Sequence, residues 1–257
     1  MTTFILKAKD KDYEEVEAEE TTNQGQFMAL CPFHSEENPS LSISTDKEVF
    51  NCFGCGEKGK AWEILATYPY RDKDGVLLYE EVKKHDSEAS TGKSFLLRKP
   101  NGGKWDYNLD GVQKTLYRLP EILNENVVYI VEGAKDAETL WTHGIPATTA
   151  SGGGAAKWPK KFNSLLSGKD IVAIPDTDEV GLKHGTDICR NLKPVTTSLR
   201  EVILTDAKDI TEWFEAGHTV EELREIVRNT PEWTAPPEDS KKTEHRHEKE
   251  KQITFFL

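Results

Sequence analysis

Alternating apolar and polar residues in the first part of the chain predict short β-strands. Three segments, 27–30, 41–44 and 48–51, are strand-like, and the first and third lead directly towards cysteine residues. A short helix is predicted at 59–67. We therefore expect residues 24–70 to form a small antiparallel ribbon.

A second β-rich stretch is predicted over residues 71–120. Its apolar segments are short, and Asn101-Gly102-Gly103 is a strong signal for a hairpin turn. The predicted strands of this stretch are 75–79, 94–98 and 105–108. We expect a basic, β-rich connecting subdomain here.

After residue 120 the pattern changes to buried strands that alternate with amphipathic helices. Two apolar runs, Val127–Val131 and Asp170–Ile174, predict buried strands. Such alternation indicates a mostly parallel sheet covered by helices, which we assign to residues 121–232. The other predicted elements are strands at 147–149 and 201–204 and helices at 134–143, 179–192, 211–215 and 220–228.

Both ends of the chain are strongly charged. Residues 1–23 are acidic and weakly patterned, and we expect an N-terminal arm or a short helix there. Residues 233–257 are rich in Lys, Glu and His and end in an apolar segment, which is typical of a disordered charged tail.

The antiparallel ribbon, the β-rich connecting subdomain and the helix-covered parallel sheet together predict the fold class, which is α+β with an α/β part.

Two pairs of metal-ligand residues stand out, Cys31 with His34 and Cys52 with Cys55. Two residues separate the members of each pair, and seventeen residues separate the pairs. Zn²⁺ favours thiolate and imidazole ligands, and two such pairs supply a closed tetrahedral site. Because no position remains for water, we expect a structural zinc. Two unrelated pairs that simply bury well are the alternative.

Cysteine usage and charge distribution narrow the class of protein. Cys189 is the one cysteine outside the two pairs, so no pair remains for a disulfide. No apolar signal segment or membrane-spanning run is recognised, and we expect a cytoplasmic protein. The net charge is −12, yet residues 93–118 carry six basic and two acidic side chains. A local basic track beside acidic surfaces is compatible with an enzyme that polymerises nucleotides.

Carboxylates follow two of the predicted buried strands. Glu132 comes directly after the first strand, and Asp176 and Asp178 come after the second. Ligands bind beyond the carboxyl ends of the strands in such sheets, and clustered carboxylates need divalent cations such as Mg²⁺ to offset their repulsion. We therefore predict a metal site. Helix caps and solvated loop charges are the alternative.

Several of these motifs resemble known signatures. Cys-Pro-Phe-His at 31–34, Asn-Pro-Ser-Leu at 38–41 and Cys-Phe-Gly-Cys-Gly at 52–56 resemble the CHC2-type zinc ribbon of DnaG-type DNA primases. Residues 131–137 and 174–181 resemble the two signature motifs of the TOPRIM fold. The resemblance is strongest to primases of phages and mobile elements, which share a segment of the Tyr-Arg-Leu-Pro-Glu type before the first TOPRIM strand.

The resemblance implies template-directed synthesis of short RNA primers on single-stranded DNA from ribonucleoside triphosphates. A structural Zn²⁺ would hold the ribbon, and Mg²⁺ or Mn²⁺ would serve catalysis by two-metal nucleotidyl transfer. By motif, Glu132, Asp176 and Asp178 would bind magnesium and act in catalysis. Asp209, in Lys208-Asp209, is a further acidic candidate.

The resemblance also suggests which basic and aromatic residues contact the substrates. Lys135 is a candidate for the triphosphate, with a surface ion pair as the alternative. The candidates for template phosphate are Arg98, Lys99, Lys104 and Arg118, with a solvated hairpin face as the alternative. The candidates for base stacking are Phe33, Phe53 and Trp105, although packing around the zinc knuckles is favoured for the two phenylalanines.

Partners follow from the same resemblance. The sequence contains no ATPase loop, so unwinding is expected to come from a separate replicative helicase. The C-terminal segment Gln252–Phe256 resembles the short peptide by which bacterial replication proteins dock on the sliding clamp. A terminal strand that folds back onto the domain is the alternative. A bacterial cell, with a phage or plasmid as the source of the gene, is the implied setting.

Two other functions remain open at this point. A TOPRIM nuclease would use the same metals to activate water in place of a ribose hydroxyl. A non-catalytic replication module would bind single-stranded DNA without turnover. The clustered carboxylates speak against the second alternative, because unneeded like charges destabilise a fold.

Overall fold

The computed structural model describes residues 1–152 and 157–236. Within these ranges the chain forms a nine-stranded antiparallel sheet followed by a four-stranded parallel sheet. The strands of the first sheet are β1 (Thr2–Ala8), β2 (Tyr13–Glu20), β3 (Gln26–Ala29), β4 (Leu41–Ser44), β5 (Val49–Cys52), β6 (Lys58–Arg71), β7 (Leu77–His85), β8 (Lys93–Asn101) and β9 (Lys104–Asp106). The mixed α+β class expected from the sequence is confirmed.

The second sheet is covered by helices. Its strands are β10 (Val127–Val131), β11 (Ala147–Thr148), β12 (Asp170–Ile174) and β13 (Ser198–Glu201). The helices are α1 (Leu119–Leu123), α2 (Ala134–Thr142), α3 (Glu179–Leu192), α4 (Ile210–Glu215) and α5 (Val220–Asn229), with a 3₁₀ helix at Lys160–Leu165. The strand expected at 201–204 is instead found three residues earlier, at Ser198–Glu201, and shares only Glu201 with the prediction.

The first six strands close into a small barrel. β1 pairs with β2 on one side and with β6 on the other, and β2 to β6 pair in chain order. Phe4 and Leu6 of β1 are buried in the same core as Ile43 and Phe50. The expectation of an N-terminal arm is therefore wrong. Residues 1–23 instead form β1 and β2, and the apolar faces of these two strands complete the barrel.

The helix predicted at 59–67 is also wrong, because these residues belong to the long strand β6. The first half of β6 pairs with β1 and β5 and its second half with β7, with a register shift between Ile64 and Ala66. A Cβ atom on Gly59 would lie 2.1 Å from the carbonyl oxygen of Lys7, so glycine permits this close pairing. Pairing on both edges overrides the local helical pattern.

Strand β6 also connects the barrel to the β-rich connecting stretch. β7 pairs with the second half of β6, and β8 and β9 follow as antiparallel hairpins. The predicted turn at 101–103 is confirmed, since Gly102 and Gly103 have φ angles of 56° and 88° and lie between β8 and β9. The barrel and the connecting stretch are thus one continuous sheet.

The parallel sheet has the strand order β11-β10-β12-β13, and all its neighbouring strands are parallel. The carboxyl ends of β10 and β12 therefore lie side by side. Apolar residues of its strands contribute to two buried clusters. Tyr70 and Tyr79 of the antiparallel sheet stack at 4.5 Å between ring centroids and share one of these clusters with Val131. This shared core holds β6 and β7 against the parallel sheet.

Candidate active site and metal centre

The four predicted zinc ligands lie together after β3 and at the end of β5. Their ligand atoms are all within 4.8 Å of one another. The Sγ atoms of Cys31 and Cys55 are 3.9 Å apart, and Sγ of Cys52 is 3.8 Å from Nδ1 of His34. A tetrahedron with Zn–S bonds of about 2.3 Å has edges of roughly 3.8 Å. The donor set and its spacing therefore fit a structural zinc.

Glu36 orients the ligands of this site, and no sequence motif singles it out. One carboxylate oxygen lies 3.1 Å from Nε2 of His34, which leaves Nδ1 of the ring facing the sulfur atoms. The other oxygen accepts a hydrogen bond of 2.7 Å from the backbone N–H of Cys31. The hydroxyl of Ser40 donates a hydrogen bond to Glu36, and its oxygen lies 3.2 Å from Sγ of Cys52. Such carboxylate–histidine contacts fix the tautomer of a ligand.

The two phenylalanines of the knuckles differ in their environment. Phe33 stacks on Phe50 with ring centroids 5.6 Å apart, as the packing interpretation expected. Phe53 is 74% exposed, so the expectation that it packs around the knuckle is wrong. Its ring therefore faces solvent, unlike that of Phe33 between the first pair of ligands.

A cleft of about 550 Å³ separates the parallel sheet from β6–β8. On one wall are residues that follow β10 and β12, together with the start of α4. These include Glu132, Asp136, Asp176, Lys208 and Asp209. The opposite wall includes Tyr68, Tyr70, Glu81, Lys83, Lys93, Phe95 and Leu97. Three of the four predicted acidic residues thus meet in one cavity.

Asp176 is the buried centre of the acidic wall. It is 9% exposed, and burial raises the pKa of its carboxyl to about 6, with a further contribution from the negative charges of Glu132 and Asp209. Lys208 opposes this shift, because its Nζ atom lies 3.3 Å from Oδ2 of Asp176. Oε2 of Glu132 is also buried. The wall therefore concentrates negative charge in a partly dehydrated site.

Asp178 lies at the N-terminus of α3 and has two roles. Its Oδ1 atom accepts hydrogen bonds from the backbone N–H groups of Val180 and Gly181, at 3.1 and 2.9 Å. Its Oδ2 atom lies 3.8 Å from Nζ of Lys208. The helix-cap interpretation therefore describes one oxygen of Asp178, while the other faces the lysine that also pairs with Asp176.

Asp209 likewise caps a helix and faces the cleft. Its Oδ1 atom accepts a hydrogen bond of 2.8 Å from the backbone N–H of Glu212 in α4. Within the described ranges, the Cys and His set is the group whose ligand atoms are compact enough to hold a metal as they stand. The carboxylates of the cleft are more widely spaced, and Lys208 lies among them.

Asp136 is an acidic residue of the cleft that the sequence analysis did not assign. It lies in the first turn of α2, and its Oδ1 atom accepts a hydrogen bond of 2.6 Å from the Thr211 hydroxyl. Burial raises the pKa of Asp136 to about 6, and the charges of Asp209 and Asp176 raise it further. Asp136 could have been predicted from the sequence, because an acid in the first helical turn after the strand-end Glu132 lies close to the same edge of the sheet.

Comparison with known proteins agrees with this geometry. Residues 10–84 match the family model of the CHC2 zinc finger, described as a DnaG zinc ribbon. A DNA primase of Listeria monocytogenes is 43% identical over 58 residues, which are 23% of this chain and 8% of that protein. Residues 10–84 are therefore similar to a CHC2 zinc ribbon, and we call them the CHC2 ribbon. The matched segment is thus a small part of the length of this curated relative.

Solved structures extend the likeness beyond the CHC2 ribbon. The zinc-binding and RNA polymerase domains of the Aquifex aeolicus primase give a TM-score of 0.51 at 15% identity, covering 84% of this chain and 81% of that one. A DnaG primase catalytic domain bound to single-stranded DNA also gives 0.51, at 17% identity, covering 74% and 60% of the two chains. The fold is therefore that of primase zinc-binding and polymerase domains.

The expected template contact of Arg98 is wrong, because its side chain is buried. Arg98 is 5% exposed and donates hydrogen bonds of 2.9 and 2.7 Å to Glu80, and it also pairs with Glu15 of the CHC2 ribbon. The Arg98 guanidinium lies over the ring of Trp105, 4.0 Å from the ring centre, and so covers one face of that ring. Arg98 thus links β8 to β2 through Glu15 and packs on Trp105 of β9.

The other predicted basic residues remain at or near the surface. Arg118 pairs with Glu138 at 2.6 Å and lies over the ring of Trp141. Lys99 donates to the carbonyl oxygen of Asp110 at 2.7 Å. Lys104 pairs with Glu14 at 3.0 Å, and Lys135 lines the cleft, 3.6 Å from Glu215. Their roles towards a template or a triphosphate stay predictions.

Lys83 and Lys93 also line the cleft, and neither was predicted from the sequence as a site residue. They lie on neighbouring strands β7 and β8 and face the same cavity as Lys135. Burial lowers the pKa of Lys83, and the positive charges of Lys93 and Lys135 lower it further. Lys83 and Lys93 therefore lie opposite the carboxylates, whereas Lys135 lies beside Asp136 on the acidic wall.

Proposed function

We propose that this protein is a DNA primase that synthesises short RNA primers on single-stranded DNA. The observation that carries the proposal is the meeting of strand-end carboxylates and lysines in one cleft, on a chain that also bears a CHC2 ribbon. The relatives that share the ribbon are DNA primases, and a structural neighbour is a primase catalytic domain bound to single-stranded DNA.

The acidic wall is the proposed site of nucleotidyl transfer. Glu132, Asp176 and Asp178 are the proposed magnesium ligands, with Asp209 and Asp136 as neighbouring carboxylates. Two Mg²⁺ or Mn²⁺ ions would orient the triphosphate, stabilise the leaving group and lower the pKa of the attacking hydroxyl. Hard carboxylate oxygens suit these ions. Burial raises the pKa of Asp176 and the negative charge of Glu132 raises it further, and a bound cation would offset both effects.

The protein residues around this site prepare it before metal binds. Lys208 neutralises Asp176 and Asp178, and Thr211 holds Asp136 in place by its hydrogen bond. Gly181 lets α3 approach, since a Cβ atom there would lie 2.5 Å from the carbonyl oxygen of Asp176. The carboxylates are thus fixed by packing and hydrogen bonds, which reduces reorganisation during reaction.

The substrates and partners of the proposed reaction are single-stranded DNA and ribonucleoside triphosphates. Lys83, Lys93 and Lys135 are placed to receive phosphate groups, and half-buried Lys99 and exposed Lys104 remain candidates for the template strand. The CHC2 ribbon, with outward-facing Phe53, is the proposed reader of the initiation site.

The cellular setting is part of the same proposal. We place the reaction in the cytoplasm of a bacterial cell, beside a separate replicative helicase, with a phage or plasmid as the source of the gene. In the described residues no helix has the length and apolarity needed to cross a bilayer. The proposed clamp-binding segment Gln252–Phe256 lies outside the described residues.

The test is primer synthesis on a pool of random single-stranded DNA with ribonucleotides and Mg²⁺ or Mn²⁺. We expect short oligoribonucleotides from the unmodified chain and a loss of at least about a hundredfold in Asp176→Asn. Asp74→Asn, at an exposed turn outside the cleft, is the matched control and should keep full activity. Equal yields from Asp176→Asn and the unmodified chain would contradict the proposal.

The same assay separates the other enzyme class. Metal-dependent nicking of the DNA without incorporation of ribonucleotides would identify a nuclease that uses the same carboxylates. Binding of single-stranded DNA that is insensitive to Mg²⁺, with no product of either kind, would identify a non-catalytic module.

A further inference from the structure

The wall of the cleft opposite the carboxylates presents an aromatic ring beside a lysine. Lys83 of β7 and Phe95 of β8 are directly opposed in the antiparallel pair, so their side chains leave the same face of the sheet. Both line the cavity that contains Glu132 and Asp176. Phe95 is 52% exposed, which leaves a large part of its ring uncovered within a cleft.

The neighbours of this pair make the wall amphipathic. Lys93 lies two residues before Phe95 on the same face of β8, and Leu97 lies two residues after it. Lys83 and Lys93 therefore place positive charge beside the ring, while the next position beyond it pairs apolar Leu97 with the carboxyl of Glu81, which also lines the cavity. A ligand that suits this wall has a flat apolar part joined to an anionic part.

The size of the cavity limits what that ligand is. About 550 Å³ is within the range of about 300–1,000 Å³ that small-molecule sites occupy and suits a single nucleotide. The facing wall contains carboxylates on which a bound divalent cation would also hold phosphate groups. A nucleotide with several phosphates satisfies both walls together, whereas a continuous strand carries only one phosphate for each base.

We propose, building on the function proposed above, that Phe95 is the stacking platform for the base of a nucleoside triphosphate whose phosphates lie beside Lys83. Every base has a π face, so stacking on Phe95 positions the nucleotide without selecting its identity. Selection then belongs to pairing with the template. Phe95 is a positioning residue, because it holds the base while other groups meet the reacting phosphate.

The test is binding of α,β-methylene-ATP and α,β-methylene-CTP to the full chain with Mg²⁺, measured by calorimetry. These analogues are suitable because the bond that the reaction would break is replaced. We expect Phe95→Leu to weaken binding of both about tenfold, and Phe95→Trp to retain it. Lys83→Gln should weaken both analogues by a similar factor, through loss of a charged contact to phosphate.

Controls separate this site from a template site and from misfolding. Val76→Ala removes part of an exposed apolar side chain in the β6–β7 turn, outside the cleft, and should leave nucleotide binding unchanged. An oligo(dT) strand should bind Phe95→Leu and the unmodified chain equally. Nucleotide affinity unchanged in both Phe95→Leu and Lys83→Gln overturns the proposal, as does a Phe95→Leu defect confined to the oligonucleotide.

Failure of the proposed Phe95 site can be distinguished from failure of the proposed primase function. A chain that makes no primers but binds both analogues through Phe95 supports this site and contradicts the primase function. A chain that makes primers while Phe95→Leu binds both analogues normally supports the function and overturns the platform. In primer synthesis, Phe95→Leu should raise KM for nucleotides more than it lowers kcat.

Discussion

The carboxylate of Glu48 accepts a hydrogen bond from Nδ1 of His85, with 2.6 Å between the two atoms. Glu48 lies between β4 and β5 in the left-handed region, at a φ of 50°, and is almost completely buried. It also accepts hydrogen bonds of 2.8 Å from the backbone N–H and from the hydroxyl of Ser87. The turn of the zinc ribbon is thereby joined to the end of β7, so ribbon and cleft belong to one body.

Removing the charge of Glu48 should loosen this connection. Glu48→Gln is expected to lower the free energy of unfolding by about 2 kcal/mol at pH 7, because a buried carboxylate loses charge-assisted hydrogen bonds. Urea unfolding followed by circular dichroism measures the change. Glu17→Gln, on the exposed face of β2, is the matched control and should change the free energy of unfolding by less than about 0.5 kcal/mol.

The same contact predicts a dependence on pH. Burial opposes ionisation of Glu48, but hydrogen bonds from Ser87 and His85 prevail and lower its pKa below the ordinary value of 4.5. A carboxyl whose pKa is lower in the folded state stabilises the fold above its unfolded pKa, and this contribution is lost as the pH falls through the folded value. The stability difference between the unmodified chain and Glu48→Gln should therefore shrink below pH 4.5. A constant difference down to pH 3 would contradict this.

Zinc should be required for the ribbon to fold. Cys52→Ser removes a ligand and is expected to abolish stoichiometric zinc and to unfold the ribbon, because metal binding supplies much of the folding free energy of such sites. Glu36→Gln should retain zinc with an affinity about 10–100-fold lower, since it removes the partner of His34. Competition with a chromogenic chelator measures both. Cys189→Ala is the control, and its zinc content should equal that of the unmodified chain.

Arg98 should act in stability and not in DNA binding. Arg98→Met is expected to cost about 3 kcal/mol in the free energy of unfolding, because Glu80 and Glu15 lose their buried partner. Lys104→Met breaks an exposed pair and should cost less than about 1 kcal/mol. Chemical denaturation of both variants compares the two ion pairs. Equal losses would show that Arg98 is less important to the fold than its burial indicates.

Lys208 should compete with divalent cations for the acidic wall. Its Nζ atom lies 3.3 Å from Oδ2 of Asp176 and 3.8 Å from Oδ2 of Asp178, so a metal on these oxygens must share or replace its charge. Lys208→Met should tighten Mn²⁺ binding several-fold, as measured by electron paramagnetic resonance. Lys183→Met, which breaks an exposed pair on α3, is the control. Weaker Mn²⁺ binding in Lys208→Met would show that the lysine helps to hold the site together.

Local patterns predicted much of the parallel sheet but failed where strands pair over long distances. Val127–Val131, Asp170–Ile174 and Glu179–Leu192 form the predicted elements, because continuous apolar runs and helical periodicity act within a few residues. The strands of residues 1–23 and the first half of β6 were missed. Their stability comes from pairing between β1 and β6, which no local pattern reports.

The candidate site divides in the same way. Spacing alone identified Cys31, His34, Cys52 and Cys55, since a knuckle of two intervening residues brings both members of a pair to one ion. The strand-end acids were likewise predictable, because parallel strands end at one edge of their sheet. Glu36 was not, because its position beside His34 depends on how the loop between β3 and β4 folds.

The sequence by itself determined the zinc ligands, the parallel sheet and the strand ends that carry Glu132 and Asp176, because these depend on short-range spacing and on the period of apolar residues. Only the tertiary structure decided that Arg98 is buried, that Asp136 joins the acidic wall, and that Lys83 and Phe95 face it. These outcomes depend on which surfaces of two sheets meet. That choice is made by a core shared between residues far apart in the chain, where burial outweighs the preference of any single segment.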